Sequence, residues 1–527
     1  MKLPLPTTWV ALITLSAFMA LNGCTARAYP QETAPKPFYM GVYLYEYRLD
    51  DLAKAEQKDY FTVLEEHLKI LKAHGVNAVY LGGANRDRFG QEINLFKKYG
   101  ISVVPQLDFA YYQPSWNDTQ MLAYAKQAAA FINNYYDEPN ILAFSVREEV
   151  PQSAANGLAR YYAAILALAP KARFQLINNN LGAATDLPVP DPVIMGTDRY
   201  AFWWEFSGGG YLASPEFALN WTRDQARQYY TQAARRGADF SLVVTQGGLM
   251  LPASANKYAG EEPLTYPSTK DAQDKLRQRV RTFASEGTMG WGEFDSPKGK
   301  RFNVWKYYRL PQNCMRALAW TAVLEGAKSF YVWSYSPPDL AHKNSDFKSV
   351  ALQENPPGEF AWITLAGLPG VPNPQLEEFF EAAEEIRPYE NIVSQMWRTD
   401  ETMIKTDQKQ VFHNAFALPK MSGRVVVIQN SNVGTWPANS ASFFKDSDDI
   451  RIDDHGNLVG YKPFDEPLVI HFNLAANDTS SDVYDLRSGK KLTPHNSQYT
   501  VDVAPGAGTL VFIGNAEEAQ KLHGWMK

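Results

Sequence analysis

Two adjacent carboxylates, Glu148 and Glu149, stand where the apolar run Ile141-Leu-Ala-Phe-Ser-Val146 stops, with only Arg147 intervening. Groups of this type move protons: a carboxylic acid protonates a leaving oxygen, and a carboxylate serves as base or nucleophile. The run reads as a buried strand, and parallel (β/α) barrels carry their catalytic groups at the C-terminal ends of strands. Acids also open helices, where the dipole favours them, so the two residues alone leave both readings open. The surrounding pattern favours the strand end. Tyr43, Tyr45 and Tyr47 alternate across the end of a run at Phe38–Glu46, and Asp108, Tyr111, Tyr112 and Trp116 follow Ile101–Leu107. Asp198, Tyr200, Trp203, Trp204 and Glu205 follow Val193–Thr197, while Trp333 and Tyr335 close Ser329–Trp333. An aromatic face stacks on the C–H face of a sugar ring, and Asp, Asn and Gln reach its hydroxyls, so the mixture suits a saccharide. Many aromatics pack in cores instead; Trp203 and Trp204, in a polar loop beside Gly208-Gly-Gly210, are expected to be exposed.

Other chemistries lack their residues. The eight histidines are dispersed, and none has metal-ligand spacing with a carboxylate or cysteine, so neither a metal nor a cofactor is expected. No phosphate loop, Rossmann glycine fingerprint or Gly-x-Ser-x-Gly elbow occurs. Catalysis, if present, falls to carboxylates. A formal charge of −6 with no basic stripe argues against a nucleic-acid partner.

The elements that would hold these residues alternate strand and helix. Strands are expected at Phe38–Glu46, Val76–Leu81, Ile101–Leu107, Ile141–Val146, Phe174–Asn178, Val193–Thr197, Phe240–Thr245 and Ser329–Trp333. Helices are expected at Phe61–His74, Gln91–Tyr99 and Met121–Tyr136, the first two closed by Gly75 and Gly100. Eight strands in alternation predict a (β/α)8 barrel across 38–395, including a long excursion between strands seven and eight. From 396 to 527 the pattern changes to short alternating runs, such as Arg424–Ile428 and Thr509–Ile513, separated by turn residues. That predicts a C-terminal antiparallel β-sandwich.

The N-terminus predicts export. Lys2 and the apolar stretch Trp9–Leu21 have the charge and length of a secretory signal over 1–23, too short to span a membrane. Leu21-Asn-Gly-Cys24 resembles the bacterial lipobox, which implies a lipid on Cys24, a tether over 24–37 and a place in the cell envelope. Thr25 after the cysteine resembles lipoproteins sent to the outer membrane. The other of the two cysteines, Cys314, then has no disulfide partner.

The run His67-Leu-Lys-Ile-Leu-Lys-Ala-His-Gly-Val-Asn77, the run Lys97-Lys-Tyr-Gly-Ile101 and the acids ending strand four together resemble the (β/α)8 glycosidases of glycoside hydrolase clan A. The resemblance covers the barrel. It implies an acid/base Glu at the end of strand four and a nucleophilic Glu at the end of strand seven. Arg147-Glu148-Glu149 is closest to the Asp-Glu-Pro of a set of bacterial glycosidase-like barrels, which puts Glu149 at the acid/base position and Glu148 at the Asp. Asp198-Arg-Tyr200 resembles their Asp-x-Tyr. The departure is Gln246, which occupies the nucleophile's position and, as an amide, cannot form a glycosyl ester. A partner carboxylate is therefore sought elsewhere, first at Glu293 in Gly290-Trp-Gly-Glu-Phe-Asp295, with Glu46, Asp108, Asp198 and Glu205 in competition. The expected activity is hydrolysis of an extracellular oligo- or polysaccharide. The alternatives are a saccharide-binding lipoprotein that keeps the barrel without catalysis, and a barrel enzyme of another class such as a lyase.

Overall fold

The computed structural model describes residues 37–178, 194–199, 215–245, 247–250, 264–265, 289–296, 299–335, 374–435, 464–475 and 481–526. Seven strands pair in parallel: Tyr39–Tyr45, Ala78–Gly82, Ser102–Pro105, Gln175–Ile177, Ile194–Thr197, Asp239–Thr245 and Ser329–Trp333. In space Ser329–Trp333 lies between Tyr39–Tyr45 and Asp239–Thr245, which leaves Ser102–Pro105 and Gln175–Ile177 as the two ends. The segment 141–146 joins those ends. It makes parallel bridges to Val103 and Gln106 on one side and to Phe174 on the other. Leu142 N donates to Val103 O at 3.0 Å and Gln175 N to Phe144 O at 3.0 Å. The ring closes with eight staves, counted below as strands one to eight, and the expected (β/α)8 barrel is what the chain forms.

Local chemistry starts and stops the helices between them. Asp59 accepts from Phe61 N and Thr62 N to open Tyr60–Ala73, whose buried face is Val63, Leu64, Leu68 and Leu71. Asn117 and Gln120 form a capping box on Asp118–Tyr135. Gly100, at φ 62°, closes Phe89–Tyr99 as the sequence predicts. One reading changes: Glu46 begins a helix, Glu46–Glu56, so the alternation of strand one ends at Tyr45 and Tyr47 is helical. The cause is visible in Glu46, a buried carboxylate that accepts from Asn85 N at 2.9 Å and Arg88 Nε at 2.8 Å.

Side chains alternate along the staves with period two. Met40, Val42, Leu44, Val79, Leu81 and Val103 face the helices. Tyr43, Ala78, Tyr80, Val104, Ile177, Val243 and Tyr331 fill the barrel, with Tyr39, Tyr45, Leu142 and Trp333 packed against them. So many tyrosines fit because glycines face them. A Cβ on Gly41 would lie 2.3 Å from the Tyr331 ring, and one on Gly82 2.3 Å from the Tyr45 ring.

After strand seven the chain forms an antiparallel sheet from Gly247–Met250, Leu264–Thr265, Met289–Ser296 and Gly299–Arg309. Helix Cys314–Leu324 then returns it to strand eight. Beyond the barrel lie two antiparallel sheets, as a sandwich requires. Six strands order as Trp397–Arg398, Val411–Ala417, Arg424–Asn430, Gly508–Gly514, Asp482–Asp485 and Lys490–Lys491; three order as Ile404–Lys405, Leu468–Leu474 and Tyr499–Val503.

Candidate active site

The C-terminal ends of strands one, three, four and six bring together Tyr43, Asp108, Glu148, Glu149 and Asp198. Glu148 points into the barrel, where the Tyr43 hydroxyl donates to its Oε1 at 2.9 Å. The Tyr43 ring stacks on Tyr80, with centroids 4.1 Å apart. The Tyr80 hydroxyl lies 2.9 Å from both Gln106 Oε1 and Ser145 Oγ. Gln106 in turn donates from Nε2 to Asp108 Oδ1 at 2.6 Å. A phenol and amide chain therefore connects the floor of the mouth to two of its carboxyls.

These surroundings set the protonation. Glu148 retains some exposed surface, yet enclosure of its carboxyl pushes its pKa up to about 8; the Tyr43 hydrogen bond opposes the rise and the neighbouring Glu149 adds to it. Asp198, at 5% exposure, is held well above the usual carboxylate range by burial first and then by the charges of Glu149 and Glu148. The Glu149 carboxyl lies close enough to Asp198 for its charge to oppose ionisation there. Asp108 is raised too, by desolvation, against its bond from Gln106.

Glu149 is the site's conformational outlier, with φ +50° in the left-handed region that side chains other than glycine rarely adopt. Three bonds surround it. Glu148 N donates to the Tyr111 hydroxyl at 2.9 Å, Glu149 N to Ile177 O at 3.2 Å, and Asn178 Nδ2 to Val150 O at 3.1 Å. Asn178 is itself fixed by Asn178 N to Gly196 O at 3.1 Å and by the Tyr229 hydroxyl donating to Asn178 O at 2.7 Å. The Arg147 guanidinium lies over the Tyr111 ring, 4.9 Å from its centroid.

Trp333 borders the mouth from strand eight and donates from Nε1 to the Tyr45 hydroxyl at 2.8 Å. Glu293 lies on the antiparallel strand Met289–Ser296, in register with Phe302. Tyr200, Trp203, Trp204, Glu205, Gln246 and Cys24 lie outside the described residues. Glu46, a competitor for the partner carboxylate, is committed to Arg88 and 1% exposed. Sequence reasoning missed Tyr80, Gln106, Ser145 and Asn178. Their signal was faint but present, since each is a polar residue at an inward or terminal position of a largely apolar stave. Among the described residues no group of three or more His, Cys, Asp or Glu is arranged to hold a metal ion.

No family model matches the chain, and no curated protein matches it in sequence. Solved structures similar to it include glycoside hydrolases. An alpha-amylase from Anoxybacillus shares 7% identity at a TM-score of 0.42, over 92% of this chain and 99% of that one. An alpha-amylase from Geobacillus thermoleovorans, complexed with acarbose, shares 7% at 0.40, over 86% and 91%. A glycoside hydrolase family 5 mannosidase from Rhizomucor miehei shares 12% at 0.35, over 67% and 94%.

Proposed function

We propose that the chain hydrolyses a glycosidic bond in an oligo- or polysaccharide, and that the Glu149–Asp198 pair carries the proton. The observation that supports this is the convergence of carboxyls at the ends of strands four and six, where Asp198, buried beside Glu149, and Glu148, bonded to Tyr43, are both held above the usual carboxylate range. Cleavage of a glycosidic bond needs one carboxylic acid held protonated near pH 7 to protonate the leaving oxygen. A retaining site sets its two carboxyls about 5–5.5 Å apart and an inverting one about 6.5–9.5 Å. Glu149 is presented to the leaving oxygen as the proton donor, with Asp198 beside it. The second carboxyl comes from Asp108 or, on the excursion hairpin, Glu293. Tyr43, expected to stack on a sugar, is 2% exposed and stacked on Tyr80, so it holds Glu148 instead; Trp333, with Tyr200, Trp203 and Trp204 by the sequence pattern, supplies sugar-binding faces, and Gln246 a hydrogen-bonding amide. A lipid on Cys24 would place this activity at the cell envelope, at the outer membrane by the Thr25 resemblance.

Gln246 favours a second reading, saccharide binding without cleavage. Reducing-end release from aryl glycosides and a panel of oligo- and polysaccharides separates the two, with binding followed by calorimetry. Glu149→Gln is expected to lower kcat by at least a hundredfold at nearly unchanged affinity, since general acid catalysis contributes about 10²- to 10⁴-fold. Asp198→Asn should do the same. Binding without release by the wild type selects the second reading, and release undiminished in Glu149→Gln removes Glu149 from the proton's path.

A further inference from the structure

We infer that Tyr111 and Asn178 are positioning residues that hold Glu149 in its left-handed conformation, so that the turn after strand four is loaded by its neighbours rather than by its own sequence. The inference rests on the proposed hydrolysis for its purpose, and on geometry for its existence. Nothing in Arg147-Glu-Glu-Val150 favours φ +50° at Glu149; glycine or asparagine would be the residue to place there. What enforces it comes from outside the turn. The Tyr111 hydroxyl, after strand three, accepts the Glu148 N–H; Ile177 O, at the end of strand five, accepts the Glu149 N–H; Asn178 Nδ2 then holds Val150 O. The turn is thereby pinned before, at and after the outlier, from both flanking staves. Asn178 is fully buried and tied to the barrel wall through Gly196 O and the Tyr229 hydroxyl, so its amide is a rigid point.

The outcome of this pinning is that successive residues, Glu148 and Glu149, direct their carboxyls to different partners. Glu148 meets Tyr43 inside the barrel and Glu149 meets Asp198 across its mouth. Backbone strain of this kind persists only where surrounding structure over-determines it, and it concentrates at functional sites.

The test compares the full chain bearing Glu149→Gly with the same chain bearing Glu149→Ala, in thermal unfolding. Both remove the carboxyl, and glycine is ordinarily the more destabilising of the two. Under a left-handed constraint the order reverses, and the glycine variant is expected to melt several degrees higher. Adding Tyr111→Phe to each, which deletes one hydroxyl, should shrink that gap. In the otherwise unaltered chain Tyr111→Phe is expected to lower kcat at least tenfold with KM within twofold, because displacement of a reacting group by about 1 Å can cost a hundredfold. Asn178→Leu should act likewise, and Asn178→Gln should not restore the rate, since its longer arm cannot reach Val150 O from the same anchor. A glycine variant that melts at or below the alanine variant, or a gap untouched by Tyr111→Phe, overturns the clamp whatever the activity. A wild type that cleaves no saccharide overturns the proposed hydrolysis and leaves the melting order to decide the clamp.

Discussion

Glu148 titrates where activity can be read. Its raised pKa, about 8, means that the folded protein holds a proton there which the unfolded chain releases near 4.5. The stabilisation is complete below the lower value and disappears as pH rises through the higher one. If cleavage needs the neutral form, kcat/KM should be level below pH 8 and fall about tenfold per pH unit above it. Glu148→Gln is permanently neutral and still accepts from Tyr43, so it should abolish that alkaline limb. A limb unaltered in the variant would assign the titration to another group. A second residue-scale consequence concerns Gly41, whose added Cβ would lie 2.3 Å from the Tyr331 ring. Tyr331 is fully buried and has nowhere to go. Overpacking of that sort costs about 1–3 kcal/mol, so Gly41→Ala should lower the urea midpoint, and Tyr331→Val in the same chain should recover part of the loss. Equal midpoints for Gly41→Ala and wild type would mean that the barrel interior is looser than the packing implies.

Among the elements, helix Cys314–Leu324 shows how a long-range contact replaces a local cap. Its N-cap position, Asn313, is left-handed and gives no side-chain cap. Glu378, from helix Pro374–Ile386, accepts Asn313 N at 2.7 Å and Met315 N at 3.1 Å instead. Burial pushes the Glu378 pKa up to about 8, against those two donors. Glu378→Gln keeps one acceptor and loses the other, which should cost about 1–2 kcal/mol near pH 5 by the usual price of a lost cap. Because the wild-type contribution declines as pH rises from about 4.5 to about 8, the difference between the two proteins should narrow by pH 9 in denaturant titrations. A penalty that grows with pH would show that Glu378 is ionised in its pocket. The same contrast between local and distant causes explains what was legible in the sequence. Strand eight, Ser329–Trp333, and the helix closed by Gly100 are where hydrophobic period and a cap residue put them. Helix Glu46–Glu56 was not legible, since its start depends on the bond from Glu46 to Arg88, forty-two residues away. At the site, acids ending strand four were visible as acids; the approach of Glu149 to Asp198 and the clamp by Asn178 depend on closure of the barrel, which no local spacing encodes.

At the scale of the whole molecule, residues Pro37–Lys527 form one compact unit, although the sequence pattern changes near residue 396. The reason lies in helix Cys314–Leu324, in which every residue but Arg316 is buried. Such a helix is covered on all sides. The barrel supplies one side; the six-stranded sheet supplies another, where Gln429 Nε2 donates to Ala317 O at 2.8 Å and Gly508 leaves room for the Trp320 ring. Nearby, Glu325 is fully buried and its ion pairs are with Arg398 of the sheet and Arg227 of the barrel. Lys328, below strand eight, donates to Val393 O at 2.9 Å and to Met396 O, at the change of pattern. Ending the chain at residue 395 would remove Arg398 and the sheet together. It would bare one face of an apolar helix and leave Glu325 short of a cation, and breaking a buried ion pair alone costs about 3–5 kcal/mol. Typical domains have only about 5–15 kcal/mol of stability in total. The shortened chain, residues 37–395, is therefore expected to lose cooperative unfolding and to aggregate, even though the carboxyls of the mouth all lie within it. Circular dichroism and hydrogen exchange at helix Cys314–Leu324 would check this. A shortened chain that melts within a few degrees of the full one, with that helix equally protected, would mean that the sheet is an appendage and that the barrel is stable without it.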